Sequence, residues 1–507
     1  MSKTEFVLIN NSSKVYHAIN ANSHRLLFDY ENMVILKSND ILNSFLDKDI
    51  IDDNFVEESS ITFGSAAVDT TLSQIKEMMK KDVIFKTNYK NVYQNKPLEF
   101  IHAEISFPTV HSCNLHCRYC FASAGENFNP NNESVEFSEQ LMQQAIEYFV
   151  TTFAPKAKYY RIDFVGGGEP LLNFGIIEAT YLYAQKMERK IGKPIKVWIC
   201  TNGTVFNDTV LDKINSMNLS IGVSLDGNEE AHNSARNYIN GNGSYDNVMD
   251  GIEKIRSNEN YSKKFKDIWI LSVLHGLNLN VLQIFDHHVT HGFSTVQMKP
   301  VRLEKSHKLS INKDNIDELI TQYRLFKDYI IKKIDVDDLS YLRAVLNDND
   351  YLGRIIISLI VKQKTIYRCG AGKYKISISA NGDIYPCDSF VGKQEYRLGN
   401  IKEKLLDENI LRQFSEAHVF NRNPCNECWN KYLCGGDCYY NSVVVTKKLN
   451  GVDPIICKLK KCLSEFAIEI VYELSKKPKT LDHLSRFVFR RRNFKMQGDE
   501  KNATRNN

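Results

Sequence analysis

The sequence predicts an α/β fold whose central part is an open barrel of parallel strands. From about residue 100, short apolar segments alternate with amphipathic segments of helical period, and this alternation is typical of βα units. Six strands are predicted, fewer than close a full barrel, so we expect a partial (β/α)6 TIM-like barrel within residues 96–335. The predicted strands are 100–107, 159–165, 195–200, 219–225, 268–274 and 295–298.

Other regions flank this barrel. Residues 1–95 combine strand-like runs with helical periodicity and predict a small α+β module. Residues 336–475 join linker helices to a cysteine-rich domain, and 476–507 predict a basic, polar and solvated tail. The strand-like runs of the module are 6–9, 15–19, 26–28 and 33–36, and the helices after the barrel are predicted at 312–333 and 338–363.

Composition and charge exclude several classes of protein. The 507 residues are 43% hydrophobic, which supports ordinary buried cores. Basic side chains number 65 and acidic ones 61, so a net charge of +4 gives no reason to expect a nucleic-acid partner. The N-terminus lacks a signal-peptide pattern, and no apolar run approaches the roughly 18 residues of a membrane span. We expect a cytoplasmic protein without a membrane partner.

The twelve cysteines predict metal ligation, because the cytosol keeps thiols reduced. Cys113, Cys117 and Cys120 follow the first predicted strand, and Cys200 stands apart as an expected small buried hydrophobe. A 4Fe-4S cluster normally takes four thiolates, so three leave one iron open for another molecule. The alternative is a zinc site, which would need a fourth ligand such as His111 or His116.

The spacing CxxxCxxC, with the aromatic Tyr119 before its last cysteine, resembles the signature of the radical S-adenosylmethionine enzymes. This resemblance implies that the open iron binds the amino and carboxylate groups of S-adenosylmethionine. It also implies that an electron from the cluster cleaves this cofactor to a 5'-deoxyadenosyl radical, which takes a hydrogen atom from the substrate.

A glycine-rich motif follows the second predicted strand, at the end of the barrel where reactive groups gather. It contains Gly167, Gly168, Glu169 and Pro170, and it resembles the Gly-Gly-Glu-Pro motif of the same family. The resemblance implies that these residues bind the methionine amino group, since a fixed carboxylate can hold a cationic amine.

Polar residues also end the third and fourth predicted strands. Asn202 follows the third strand, and Ser224 and Asp226 follow the fourth, where the cofactor should pass. By resemblance to the sulfatase-maturing branch of the family, Ser224 and Arg236 contact the methionine carboxylate. The alternatives are a helix cap for Ser224 and a surface salt bridge for Arg236.

The cysteine-rich domain resembles the SPASM domain, which carries auxiliary 4Fe-4S clusters in many radical enzymes that modify peptides or proteins. Seven cysteines match its signature, and Cys462 brings the number of thiolates to the eight that two cubanes need. A zinc ribbon formed by four of them is the alternative, but it leaves the others unused. Together with the first motif, the resemblance implies three 4Fe-4S clusters. The predicted auxiliary ligands are Cys369, Cys387, Cys425, Cys428, Cys434, Cys438, Cys457 and Cys462.

The N-terminal module resembles the domain that binds leader peptides in several radical enzymes acting on ribosomal peptides. Such a domain adds the leader as a strand to a sheet edge. A structural extension is the alternative. The first motif and the stretch from Val391 to Ile401 are similar to maturases of cysteine-rich peptides.

These resemblances favour a peptide maturase of the sactipeptide or ranthipeptide kind, which joins a cysteine sulfur to a carbon in bacteriocin biosynthesis. Its implied partners are a leader-bearing precursor peptide and a flavodoxin- or ferredoxin-type electron donor.

Two alternatives to this maturase remain open. One is an anaerobic sulfatase-maturing enzyme, in which an aspartate placed like Asp388, directly after Cys387, accepts a proton. Shielding from water would raise the pKa of such a carboxyl. The other is a metal-stabilised binding protein without turnover.

Overall fold

The structure is a computed structural model of the chain. It describes residues 15–21, 24–46, 48, 51–84, 101–108, 112–120, 137–217, 219–257, 268–403 and 405–497.

The fold class predicted from the sequence is confirmed. The six predicted barrel strands are all parallel and neighbour one another in chain order within a nine-stranded sheet. Their ranges are His102–Phe107 (β4), Tyr159–Phe164 (β5), Ile195–Thr201 (β6), Leu219–Ser224 (β7), Trp269–Leu274 (β8) and Thr295–Pro300 (β9).

The cysteine-rich domain continues the same sheet, which the sequence did not predict. Its first strand, Lys375–Ile378 (β10), pairs in parallel with β4, and Asp383–Tyr385 (β11) and Gly399–Asn400 (β12) follow in antiparallel order. Backbone hydrogen bonds therefore join the two regions across an edge that would otherwise be unpaired. This continuity places the C-terminal cysteines beside the barrel.

Helices cover the outer face of the barrel sheet. In β6, Ile195, Val197 and Ile199 are buried outward, whereas Trp198 and Cys200 alternate toward the barrel interior. The helices of the barrel are Glu139–Tyr148 (α4), Phe174–Ile191 (α5), Asp208–Ser216 (α6), Glu229–Asn233 (α7), Tyr245–Ser257 (α8) and Val281–Thr290 (α9).

The N-terminal module has a three-stranded antiparallel sheet and three helices. Its elements are Tyr16–Ala21 (β1), His24–Asp29 (β2), Val34–Ser38 (β3), Asp40–Leu46 (α1), Asp53–Phe63 (α2) and Ser65–Lys80 (α3). Leu27 packs under the helices, whereas Leu26 and Phe28 point the other way into the core shared with the barrel. The module is therefore anchored to the rest of the chain. The strand predicted at 6–9 lies outside the described residues.

The helix predicted at 338–363 is broken in two, Ser340–Val345 (α11) and Tyr351–Ile360 (α12), after Ile316–Asp335 (α10). In the break, Asp350 Oδ2 accepts a hydrogen bond from Met298 N at 2.8 Å, and Asn347 Nδ2 donates one to Val296 O at 2.9 Å. These side chains satisfy backbone groups along the free edge of β9, which explains why the chain is not helical there.

The remaining helices belong to the C-terminal part: Glu408–Glu416 (α13), Lys431–Cys434 (α14), Tyr439–Thr446 (α15), Pro454–Ser475 (α16) and Pro478–Gln497 (α17). The expected solvated tail thus begins with a helix. Leu484 and Val488 are buried in the core, and Arg491 donates a 2.7 Å hydrogen bond to Thr295 Oγ1. None of the described helices is long and apolar enough to cross a membrane.

Candidate active site and auxiliary cysteine groups

The loop with Cys113, Cys117 and Cys120 is held at the carboxyl end of the barrel by backbone hydrogen bonds. His116 N donates to Asn237 O at 2.7 Å, and Arg118 N donates to Ala235 O at 2.9 Å. The segment after α7, which carries Arg236, therefore fixes the loop along one side. Burial raises the pKa of the Cys117 thiol to about 11, and the neighbouring Cys120 and Cys113 thiols add to this rise.

The glycine-rich motif lies between the cysteine loop and the cysteine-rich domain. Glu169 N donates to Ser112 O at 3.1 Å. Gly166 has a φ of +94°, and a Cβ at this position would lie 2.5 Å from the Cβ of Asp388. Only glycine permits both this backbone conformation and this close approach. Gly167 and Gly168 are partly exposed, and Pro170 is buried at the start of a short turn.

Glu169 is buried and most of its hydrogen-bonding capacity is used. Its Oε1 accepts from Thr201 Oγ1 at 2.6 Å and from Leu171 N at 3.1 Å, and its Oε2 accepts from Asn202 N at 2.6 Å. Burial raises the pKa of the carboxyl, and these hydrogen bonds oppose the rise. A carboxylate offers about four acceptor positions, so one is left for an amine.

Asn202 connects the third strand to the cysteine loop. Its Nδ2 donates to Asn114 Oδ1 at 2.8 Å and lies 3.9 Å from Cys113 Sγ. A hydrogen bond toward a thiolate sulfur stabilises its charge, which is one way proteins tune iron-sulfur clusters.

Tyr119, Asp226 and Arg236 form a buried chain of hydrogen bonds. The Tyr119 hydroxyl donates to Asp226 Oδ2 and accepts from Arg236 Nη1 at 2.8 Å. Asp226 Oδ1 also accepts from Val273 N at 2.8 Å, and Asp226 is fully buried. The hydrogen bonds hold Asp226 against Tyr119, and its contact with the cofactor stays a prediction.

Arg236 has an unused donor at Nε. It is only 7% exposed, and its Nε has no hydrogen-bond partner among the residues that the structure describes. A buried guanidinium N–H without a partner is costly, so this position suits an anionic group such as a carboxylate. The surface salt bridge considered for Arg236 is excluded by its burial.

Ser224 does not cap a helix, because Asn228 caps α7 in its place. Ser224 instead lies beside Cys200, whose thiol it hydrogen-bonds inside the barrel. Burial, with the nearby Glu169 carboxylate, raises the pKa of Cys200 to about 11. A raised pKa keeps this partly buried thiol neutral, which is compatible with the small buried hydrophobe expected for Cys200.

The C-terminal cysteines fall into two groups. Cys369, Cys387 and Cys438, named auxiliary group A, share one buried cluster with Tyr385 and Phe390. The second set is named auxiliary group B: burial raises the pKa of the Cys425, Cys428 and Cys457 thiols, and the nearby Cys434 adds to the rise in all three. Auxiliary group B consists of Cys425, Cys428, Cys434 and Cys457.

Cys462 joins neither group. Five residues after Cys457 in α16, its charged neighbours are Glu465, Arg324, Lys458 and Asp317, and no described cysteine is among them. The assignment of Cys462 as the eighth cluster ligand therefore stays a prediction. Group A then offers three thiols and group B offers four.

The described cysteines do not form a ready site for one metal ion. Among the described residues, no three cysteine, histidine, aspartate or glutamate side chains converge closely enough to hold a single metal ion. Thiolates of a cubane bind different irons and lie further apart than the ligands of one zinc ion. His111 lies outside the described residues, and the exposed His116 is fixed in the loop by its backbone.

A charged layer inside the barrel connects the cofactor motifs with auxiliary group A. Lys375 Nζ lies 3.1 Å from Asp388 Oδ1, and Arg302 Nη1 lies 3.7 Å from Cys438 Sγ. Burial raises the pKa of Asp388, but Lys375 and Arg302 outweigh it and hold that pKa below its usual value. The raised pKa expected for Asp388 is therefore wrong.

Sequence reasoning missed these basic residues. Burial, with Arg302 nearby, lowers the pKa of Lys299 to about 8. The sequence pattern that could have revealed Lys299 is in the last barrel strand. There Gln297 and Lys299 alternate with apolar residues, which places these polar side chains on the inner face.

Comparison with known families defines the class of protein. Residues 107–275 match the model of the Radical SAM superfamily, and residues 369–429 match the model of SPASM, an iron-sulfur cluster-binding domain. The chain is therefore an enzyme of the radical SAM superfamily with a SPASM domain. This excludes the binding protein without turnover.

Several relatives resemble this chain over about two thirds of its length. A cysteine-type anaerobic sulfatase-maturating enzyme of Clostridium novyi is 23% identical, over 66% of this chain and 87% of its own. A serine-type enzyme of Klebsiella aerogenes is 25% identical, over 65% and 78%. The solved structure of native anSMEcpe with bound AdoMet and Cp18Cys peptide has a TM-score of 0.61 at 18% identity, over 74% of this chain and 99% of that chain. This structural likeness supports the fold.

Proposed function

We propose that this enzyme modifies a ribosomally made precursor peptide, taking a hydrogen atom from one residue and joining that carbon to a cysteine sulfur. The observation that carries the proposal is the contact between Gly166 and Asp388. It places the glycine-rich motif, which follows the second barrel strand, directly beside the residue that follows Cys387 of auxiliary group A. A peptide side chain at this junction would face both the cofactor motifs and the auxiliary thiols.

We propose that the residues of the barrel motifs bind the first cluster and S-adenosylmethionine. When bound, the cluster and S-adenosylmethionine supply the 5'-deoxyadenosyl radical that takes the hydrogen atom. Cys113, Cys117 and Cys120 would hold this cluster, and Glu169 has one acceptor position free for the methionine amine. Arg236 and Ser224 would hold the carboxylate, while Tyr119 keeps the guanidinium in place through its 2.8 Å hydrogen bond.

Thioether formation also requires an acceptor for a proton and an electron. Replacing C–H and S–H by C–S gives one hydrogen atom to the radical and leaves one proton and one electron to depart. Asp388 is ionised beside Lys375 and so has an acceptor oxygen for the thiol proton. The thiols of groups A and B would each hold an auxiliary 4Fe-4S cluster able to accept this electron, and with the cluster of the barrel these would make three 4Fe-4S clusters. A flavodoxin- or ferredoxin-type protein would be the donor that primes the reaction.

We further propose that the N-terminal sheet binds the leader of the precursor. In the described part of the chain, β1 and β3 each pair with β2 alone and so leave one edge open. An extended peptide can pair with such an edge through backbone hydrogen bonds. A tethered leader would raise the concentration of the core peptide near the barrel.

Hydrogen exchange tests the leader assignment without removing the module, which shares the main core. Adding a saturating amount of a candidate leader-bearing precursor peptide should slow amide exchange in β1 or β3 by roughly tenfold or more. The central strand β2 is the internal control, because both of its edges are already paired. Unchanged exchange at both outer strands would make the module a structural extension.

A second candidate function is sulfatase maturation, in which a cysteine or serine becomes formylglycine. The relatives from Clostridium novyi and Klebsiella aerogenes and the position of Asp388 favour it. The described N-terminal sheet favours a leader-dependent maturase instead.

Mass spectrometry separates the two functions. The reduced enzyme is incubated with S-adenosylmethionine and either a candidate leader-bearing precursor peptide or a sulfatase peptide carrying Cys-x-Pro-x-Arg. We expect the precursor to lose two hydrogens and its cysteine to resist alkylation, with the sulfatase peptide unchanged. Conversion of the sulfatase cysteine to an aldehyde, with the precursor unchanged, would establish the second candidate.

A further inference from the structure

Auxiliary group B opens onto a pocket of about 390 Å³ that the N-terminal sheet helps to form. Three thiols of the group line one side of this pocket, and aromatic side chains of the N-terminal module line the other. The thiols are those of Cys425, Cys428 and Cys457, the aromatic residues of the module are Tyr16, His17 and Tyr30, and Pro424, Glu427, Trp429 and Lys461 complete the lining. Residues more than 400 positions apart in the sequence therefore share one cavity.

His17 makes the closest aromatic contact across this cavity. Its ring stacks on Trp429 with a centroid distance of 3.7 Å and an interplanar angle of 4°. Its Nε2 lies 2.9 Å from Glu465 Oε1, on the helix α16 that also carries Cys457. Trp429 directly follows Cys428, so stacking against His17 holds the Trp429 ring in a defined position beside the Cys428 thiol.

A second contact fixes the same part of the sheet. The Tyr432 hydroxyl donates to Glu31 Oε1 at 2.9 Å, and Lys364 Nζ lies 3.8 Å from Glu31 Oε2. Tyr432 belongs to α14, whose last residue is Cys434. Burial, with Glu31, Asp29 and Cys428 adding to it, raises the pKa of Tyr30 to about 12. The sheet is thus attached on both sides of auxiliary group B.

We propose that the N-terminal sheet is the lid of the auxiliary cluster held by group B, and that His17 is the positioning residue that keeps this lid closed. The proposal rests on the assignment of Cys425, Cys428, Cys434 and Cys457 as ligands of that cluster. Solvent exposure is one of the factors that set the reduction potential of a 4Fe-4S cluster. The lid therefore excludes water and iron chelators and sets the potential at which this cluster exchanges electrons.

The test compares the anaerobically reconstituted full-length enzyme with the variants His17→Ala, His17→Phe and His24→Ala. His24 is the matched control because it lies in the same sheet, contacts Tyr472 and Glu473 on the same helix, and lines no part of the pocket. Iron release to a chelator and the midpoint potentials of the auxiliary signals in electron paramagnetic resonance are measured. Release of 5'-deoxyadenosine without peptide reports separately on the barrel cluster.

His17→Ala should speed iron release by roughly three- to tenfold, the range expected from losing one stacked aromatic pair. It should also shift one auxiliary potential upward, because water stabilises the more negative reduced state. His17→Phe, which retains the stack, and His24→Ala should match the unaltered enzyme in both measurements. All variants should form 5'-deoxyadenosine at the same rate.

Two results would overturn the proposal, and they are distinguishable. If the unaltered enzyme lacks the iron expected for group B, the ligand assignment fails. If that iron is present but His17→Ala releases it as slowly as His24→Ala, with an unchanged potential, the sheet is not a lid.

Discussion

Replacing Cys113, Cys117 and Cys120 together with alanine is expected to abolish the formation of 5'-deoxyadenosine while sparing the clusters of the C-terminal domain. The three thiols sit in one loop, and auxiliary groups A and B share no residue with it. Three cubanes give about twelve irons per chain, so the triple variant should retain about eight. Iron and sulfide analysis and chromatography of the nucleoside product measure both effects.

Cys200→Ala is the matched control for this triple variant. Cys200 also lies in the barrel and is half-buried, but it contacts Ser224 and belongs to no cysteine group. We expect its iron content to be unchanged. A triple variant that still cleaves S-adenosylmethionine would require the cofactor to bind elsewhere, and one that loses all iron would show that the three sites are not independent.

The substitution Glu169→Gln is expected to weaken S-adenosylmethionine binding by roughly tenfold to a hundredfold, since a hydrogen bond to a charged group contributes about 1.5 to 3 kcal/mol. The carboxylate accepts three hydrogen bonds from the chain, and two of the donors are the backbone amides of Leu171 and Asn202. A glutamine would turn an NH2 group toward one of these donors, which adds to the loss. Cofactor affinity is measured by isothermal titration under anaerobic conditions.

Thr201→Val is the control for Glu169→Gln. It removes the 2.6 Å hydrogen bond from Thr201 Oγ1 but leaves the negative charge in place, so we expect a smaller loss of affinity. Both variants should keep the full iron content, because neither residue is a proposed ligand. If the Glu169→Gln variant bound the cofactor with unchanged affinity, the role of Glu169 would be structural. It would link the loop after β5 to the end of β6.

Local patterns in the sequence determined the barrel and the position of its motifs. Hydrophobic alternation depends only on neighbouring residues, and it predicted the strands β4 to β9 to within about two residues at each described end. The order of strand, motif and helix then placed Glu169, Asn202 and Ser224 at the same end of the sheet. The same reasoning failed at 338–363, where Asn347 and Asp350 leave the helix to bond the distant edge strand β9.

Only the tertiary structure decided which cysteines belong together and which side chains lie beside Asp388 and His17. Cys434 and Cys438 are four residues apart, yet they belong to different auxiliary groups, and Cys462 belongs to neither. Asp388 keeps a low pKa despite its burial because Lys375, the first residue of β10, lies beside it. His17 meets Trp429 only after the N-terminal sheet packs on the cysteine-rich domain. Spacing along the chain encodes local geometry, whereas these outcomes depend on contacts between residues that only folding brings together.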